Sequence, residues 1–148
     1  MNNLALKSVI GAWILLVSVS CATARTNKSS WSDKAVDGKD VVELYQTQDI
    51  IEGKGEFKYE YEGAYYEFRN QENLDLFKSN PKKYAPAYGG YCAWAVAQGY
   101  TADVDLRTAT VVEGVLYLNY NSDIAAKWSE NQAEFIRKAD RNWPDINK

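Results

Sequence analysis

One stretch constrains this chain more than any other: Tyr84-Ala-Pro-Ala-Tyr-Gly-Gly-Tyr-Cys-Ala-Trp-Ala-Val-Ala-Gln-Gly-Tyr100. It holds four of the eleven tyrosines and the only cysteine outside the N-terminal segment. Pro86 and Gly89-Gly90 interrupt regular structure, so the stretch must open as a loop. Tyr91 to Gln98 is alanine-rich and reads as a helix, with Gly99 as its C-terminal cap. Cys92, Ala95, Val96 and Gly99 then fall on one face at i, i+3, i+4 and i+7. Small residues on that face let a helix approach other backbone closely, so this one is expected to wedge into the core. Cys92 is placed two or three residues inside it.

The flanks must supply what packs around the wedge. Asp40 is positioned to cap a short helix carrying Val41, Leu44 and Tyr45, although so short a pattern also suits a strand. Lys54-Gly55 reads as loop. Phe57 to Glu62 alternates aromatic and charged residues with period two, Glu62-Gly63 turns, and Ala64 to Arg69 resumes, which makes a β-hairpin. Asn70 caps a helix with Leu74 and Phe77 inward, and Pro81 ends it near Asn80 and opens one more turn as far as Tyr84. Thr101 to Leu106 reads as loop. Thr108 to Val112 and Val115 to Tyr120, about Glu113-Gly114, form a second hairpin. A long last helix is capped at Asn121 or Ser122. Ile124, Trp128, Phe135 and Ala139 form its buried stripe, and Trp143-Pro144 its end. Hairpins and helices without a βαβ alternation give the α+β class: a small antiparallel sheet from two β-hairpins, packed with helices that include a long C-terminal one.

The first twenty residues stand outside that scheme. Ser8 to Ser20 is an uncharged apolar run too short to span a bilayer, preceded by Lys7, in the manner of an export signal. Val17-Ser-Val-Ser-Cys21 has lipobox spacing, with Ser18 where leucine is preferred. It makes Cys21 the lipidation candidate, and Ala22 after it fits outer-membrane sorting. Ala22-Thr-Ala24 offers the rival cleavage, which releases a soluble periplasmic protein. The expected organisation is a signal and lipobox over 1–21, a flexible tether over 22–35 with Trp31 lying against the domain edge, and one domain over 36–146. The protein is thus read as exported to a bacterial cell envelope.

Charge and composition exclude several chemistries. Seventeen basic and twenty acidic residues give a net charge of −3, or −4 once Lys7 is removed. With no basic run, neither nucleic acid nor an anionic membrane surface is an expected partner, and membrane contact is expected only through the lipid anchor. The chain has no histidine, which removes Ser-His and Cys-His catalysis and every histidine-ligated metal. Cys92 is left without an intramolecular disulfide partner. Asp103 and Asp105 do not continue as a calcium loop, and Glu60 and Glu62 on one strand face read as solvated carboxylates. No catalytic apparatus emerges, so the chain is read as no enzyme.

Further blocks carry a resemblance. Gly38-Lys-Asp-Val-Val-Glu-Leu-Tyr45, Phe68 through Phe77, Asn80-Pro-Lys-Lys-Tyr84, Tyr88-Gly-Gly-Tyr-Cys-Ala-Trp-Ala95, Leu116-Tyr-Leu-Asn-Tyr120 and Ala139-Asp-x-x-Trp143 occur in the order found in exported bacterial YHS-domain proteins. The chain resembles that family from Val36 to Ile146. The resemblance implies a metal-binding module, suspected of holding copper in some members. Those members often carry two cysteines, and a histidine stands in the family's name. This chain carries over Cys92 alone.

Three functional expectations follow. Tyr84, Tyr88, Tyr91, Cys92 and Trp94 are candidates for binding a small ligand or an envelope partner, apolar rings with hydroxyl handles. Equally, those rings fill the core and Cys92 is a small buried packing residue. The alternatives to a binding module are copper handling through Cys92 and thiol redox chemistry at a thiolate stabilised by the helix start.

Overall fold

The computed structural model describes residues 25–28 and 32–148. The export signal, the lipobox with Cys21, the cleavage after Ala24 and Trp31 lie outside the described residues. The fold is α+β: two antiparallel β-hairpins, each a separate two-stranded sheet, with six α-helices among the described residues, the longest at the C-terminus.

Asp40 settles the first ambiguity in favour of a helix. Its carboxylate accepts the backbone N–H groups of Val42 and Glu43 at 2.9 and 3.2 Å, and α1 runs Val41–Thr47. Its second oxygen accepts the Arg69 N–H at 2.7 Å and the Asn73 amide at 2.8 Å. Asp40 is fully buried, and one side chain thus fastens α1, the end of β2 and the next helix. β1 (Lys54–Tyr61) pairs with β2 (Ala64–Phe68), and α2 (Gln71–Ser79) starts where Asn70 accepts the Asn73 N–H at 2.8 Å. α3 (Pro81–Tyr84) follows with proline in its first turn.

These elements enclose the first of two cores. Phe77 lies against Tyr66, Phe68, Tyr59 and Tyr61, with ring centroids 4.8 to 6.2 Å apart. Val41, Val42, Leu44, Leu116 and Leu118 complete it. The second core gathers Tyr88, Ala93, Val96, Ala97, Tyr117, Trp128 and Ala139. It joins α4 (Ala93–Ala97) to β4 (Val115–Asn119), α5 (Ser122–Glu130) and α6 (Gln132–Ile146). Alanines on both α4 and α6 bring the two backbones together, and the Asn142 amide donates to the Val96 and Ala97 carbonyls at 2.9 and 3.1 Å. The wedge expected from the alanine-rich sequence is therefore present.

Several boundaries differ from the sequence reading, each for a visible reason. Lys54-Gly55 belongs to β1, and β3 (Asp105–Val112) begins three residues before Thr108; both extensions run through bulges. In β3 the Thr108 hydroxyl accepts the Asn119 N–H at 2.8 Å, replacing the missing backbone partner. α4 is shorter than Tyr91 to Gln98. Tyr91 and Cys92 are extended, with ψ of 162° and 116°, so Cys92 stands immediately before the helix, not inside it. Gly99 leaves the packing face: it is exposed, with φ +94° and open space where a Cβ would lie. It closes α4 through Gly99 N–H to Val96 O and Tyr100 N–H to Ala95 O, at 3.0 and 3.2 Å. The C-terminal helical region breaks at Asn131, whose φ/ψ of −144°/54° separates α5 from α6. α6 then continues through Pro144, which lacks the N–H that would bond the Asp140 carbonyl, and ends two residues later at Ile146.

Candidate functional site

The sequence candidates divide among three places. Tyr84 belongs to the first core, edge-on to Tyr45 at 5.2 Å. Tyr88 belongs to the second. Its ring meets Tyr117 and Trp143, both at 5.9 Å, and its hydroxyl donates to Asp140 at 2.8 Å. Burial first, and then the bond to Asp140, hold its phenol far above the usual tyrosine range. Tyr91 is half-buried beside Trp143 at 6.3 Å. None of these three lines an opening with Cys92. Only Cys92 and Trp94 come together at a cleft.

That cleft has a volume of about 200 Å³. One wall is Cys92, Trp94 and Ala95; the second is Tyr100 and Ala102 in the loop after α4; the third is Tyr120 and Ile124 at the start of α5. Its lining is apolar apart from the thiol and two phenols. Tyr100 and Tyr120 are half exposed, at 50% and 55%, and form the rim. The extended backbone at Cys92 explains the opening: its N–H donates to the Ala102 carbonyl at 3.0 Å, which lays the following loop alongside α4.

Behind the thiol lies Asn119, fully buried at the end of β4. Thr108 holds its backbone through the bulge. Its Oδ1 accepts the Trp94 N–H at 3.1 Å and faces the Cys92 Sγ at 3.7 Å. Two donors converge on that atom, so it is the amide oxygen. Its Nδ2 has no hydrogen-bond partner among the described residues, and neither does the Trp128 Nε1. Cys92 itself is 1% exposed, so its sulfur closes the floor of the cleft and does not project from it.

The donor set does not fit a metal. No group of three or more Cys, Asp or Glu side chains is placed to hold one among the described residues. The thiol's hydrogen-bond partner among the described residues is the neutral amide oxygen of Asn119, a poor match for the soft ligands copper prefers. The helix start gives little to a thiolate, because α4 has only five residues. Asp105, also considered for a cation loop, is paired with Arg107, whose guanidinium lowers its carboxyl below the ordinary range.

Sequence reading found Cys92 and Trp94 but not Tyr100, Ala102, Asn119, Tyr120 or Ile124. Two signals were present. Asn119 is a lone amide ending the apolar run Val115 to Leu118, and tyrosines follow both α4 and β4. Neither shows that the two chain regions meet. Comparison of the chain with protein-family models, with curated proteins and with solved structures gives no match in any of the three.

Proposed function

We propose that this protein is an exported, lipid-anchored YHS-like domain of the bacterial envelope that binds a small apolar ligand. The ligand class is a single aromatic ring, free or as the side chain of an envelope partner. The observation that carries this reading is the cleft floored by Cys92 and rimmed by Tyr100 and Tyr120. A cavity of about 150 Å³ already accepts benzene, while drug-sized ligands need about 300 Å³ or more. The 200 Å³ here lies between. Apolar walls remove the ring from water, and two phenols at the mouth stack on it or hydrogen-bond to a polar substituent.

Indole and p-cresol are suitable probes, and saturation-transfer NMR of their ring protons reports on binding. Affinities between about 10 μM and 1 mM are expected for ligands of this size. Ala102→Phe fills the cleft and abolishes the response while leaving the unfolding midpoint within experimental error. Occupancy also slows alkylation of Cys92. A response that persists in Ala102→Phe, or no response to either probe in the folded protein, rejects this reading.

A further inference from the structure

The chain immediately after the lipobox is strapped to the domain. Asn27 donates its N–H to the Gly89 carbonyl at 2.7 Å and its side-chain amide to the Gly90 carbonyl at 3.3 Å. Thr26 is buried, and its hydroxyl donates to the Glu62 carbonyl at 2.9 Å. Lys28 reaches the Gly63 carbonyl at 3.3 Å, and the Arg25 N–H donates to the Asn147 side chain. Gly89 makes the approach feasible: with φ +60°, a Cβ there would lie 2.1 Å from the Arg25 carbonyl oxygen. The strap thus ties together the β1–β2 turn, the loop before α4 and the C-terminal end of α6. These contacts fall in the described part of the segment read from sequence as a tether.

We propose that this strapped face is the membrane-contacting surface of the protein, held against lipid headgroups. The proposal rests on the reading of Cys21 as the lipid anchor. From Cys21 to Arg25 is four residues, a reach of about 14 Å at full extension. A domain of about 120 residues has a radius of gyration of about 14 Å. The anchor therefore cannot lift the domain clear of the bilayer, and the face where the chain emerges is the one brought to the headgroups. Charge does not drive the contact. Lys28 pairs with Asp33 and Lys148 with Asp145 on this side, at 3.0 and 2.5 Å. Neutral lipid is expected to serve as well as anionic lipid.

The test uses the full chain, expressed in a bacterium, extracted with its lipid and reconstituted in phosphatidylcholine vesicles carrying a headgroup nitroxide. In a Cys92→Ala background, a bimane label is placed through Asp145→Cys, near the strap, or Glu130→Cys, beyond the far end of α6. The fifteen residues of α6 separate those sites by about 20 Å. Quenching is expected to be several-fold stronger at the Asp145 site. Inserting about 20 Gly/Ser residues between Ala24 and Arg25, a coil of about 25 Å, removes the difference. Lys148→Cys serves as a second reporter should Asp145→Cys fold poorly. Equal quenching at both ends of α6 in a lipidated chain, or a difference that survives the insertion, overturns this proposal alone. A mature N-terminus whose mass shows no lipid on Cys21 overturns the anchor reading and this proposal with it.

Discussion

Asp40 is the most informative single residue to perturb, because its two oxygens do different work. Oδ1 caps α1 through Val42 and Glu43, and Oδ2 holds the Arg69 N–H and the Asn73 amide. Asp40→Ala loses the cap, worth about 1 kcal/mol. It also strands two donors in a buried or partly buried site, at about 1–3 kcal/mol each. The expected loss is about 3–7 kcal/mol, a large share of the roughly 5–15 kcal/mol that holds a domain together. Asp40→Asn separates the two roles. A carboxamide offers one acceptor and one donor, so either the cap or the tie faces an N–H of the wrong polarity. Its expected cost is about 2–3 kcal/mol despite nearly identical shape. Urea denaturation followed by tryptophan fluorescence measures both. The midpoint moves and the slope stays constant if only native-state stability changes. An Asp40→Asn protein within about 0.5 kcal/mol of the parent refutes the four-bond account. So does an Asp40/Asn73 double-mutant cycle with no coupling energy, because residues sharing such a network couple by about 0.5–3 kcal/mol.

Other predictions concern the cores and the central helix. Phe77→Ala empties the centre of the first core, where Phe77 is fully buried, and should cost about 3–5 kcal/mol by the same denaturation assay. Gly99→Ala meets no neighbouring atom, so only its left-handed conformation is strained. The expected loss is about 1 kcal/mol, and a loss as large as that of Phe77→Ala would show that the helix end is packed. Burial raises the phenol pKa of Tyr61, Tyr66, Tyr88 and Tyr117 above the ordinary value near 10. A raised folded-state value means a stabilisation complete below about pH 10 and lost as pH climbs toward the folded values, where the unfolded chain releases protons that the native chain retains. The unfolding midpoint should therefore fall above pH 10. Absorbance at 295 nm should show Tyr66 and Tyr88 ionising together with unfolding, and reversible ionisation of these two rings in the native state would contradict their burial. Tyr88→Phe keeps the ring but gives up the bond to Asp140. It should cost about 1 kcal/mol near neutrality and soften the alkaline fall.

How much of this was legible depended on how local the physics was. Caps are short-range hydrogen bonds, so Asp40, Asn70 and Asn121 declare helix starts by identity and position. Period-two alternation declared the first hairpin, β-forming residues about Glu113-Gly114 the second, and Pro81 the boundary between α2 and α3. The bulged strand starts were missed because side chains far along the chain complete the ladder, as Thr108 does for Asn119. The break at Asn131 was missed because apolar spacing continues across it. The rings of Tyr84, Tyr88 and Tyr91 looked like neighbours of Cys92, yet a loop with left-handed residues at Tyr88, Gly89 and Gly90 turns them into different cores.

The sequence by itself determined the α+β class, the helix caps, the absence of histidine chemistry and the alanine-rich wedge. Each is a property of composition or of residues within a few positions of one another. Only the tertiary structure decided that Cys92 precedes its helix and floors a cleft. The same holds for Tyr100 and Tyr120, which line the same cleft, and for the chain at Asn27, which is hydrogen-bonded to Gly89. Those arrangements depend on which distant segments share a wall. That is settled by close packing of the whole chain, and no local pattern encodes it.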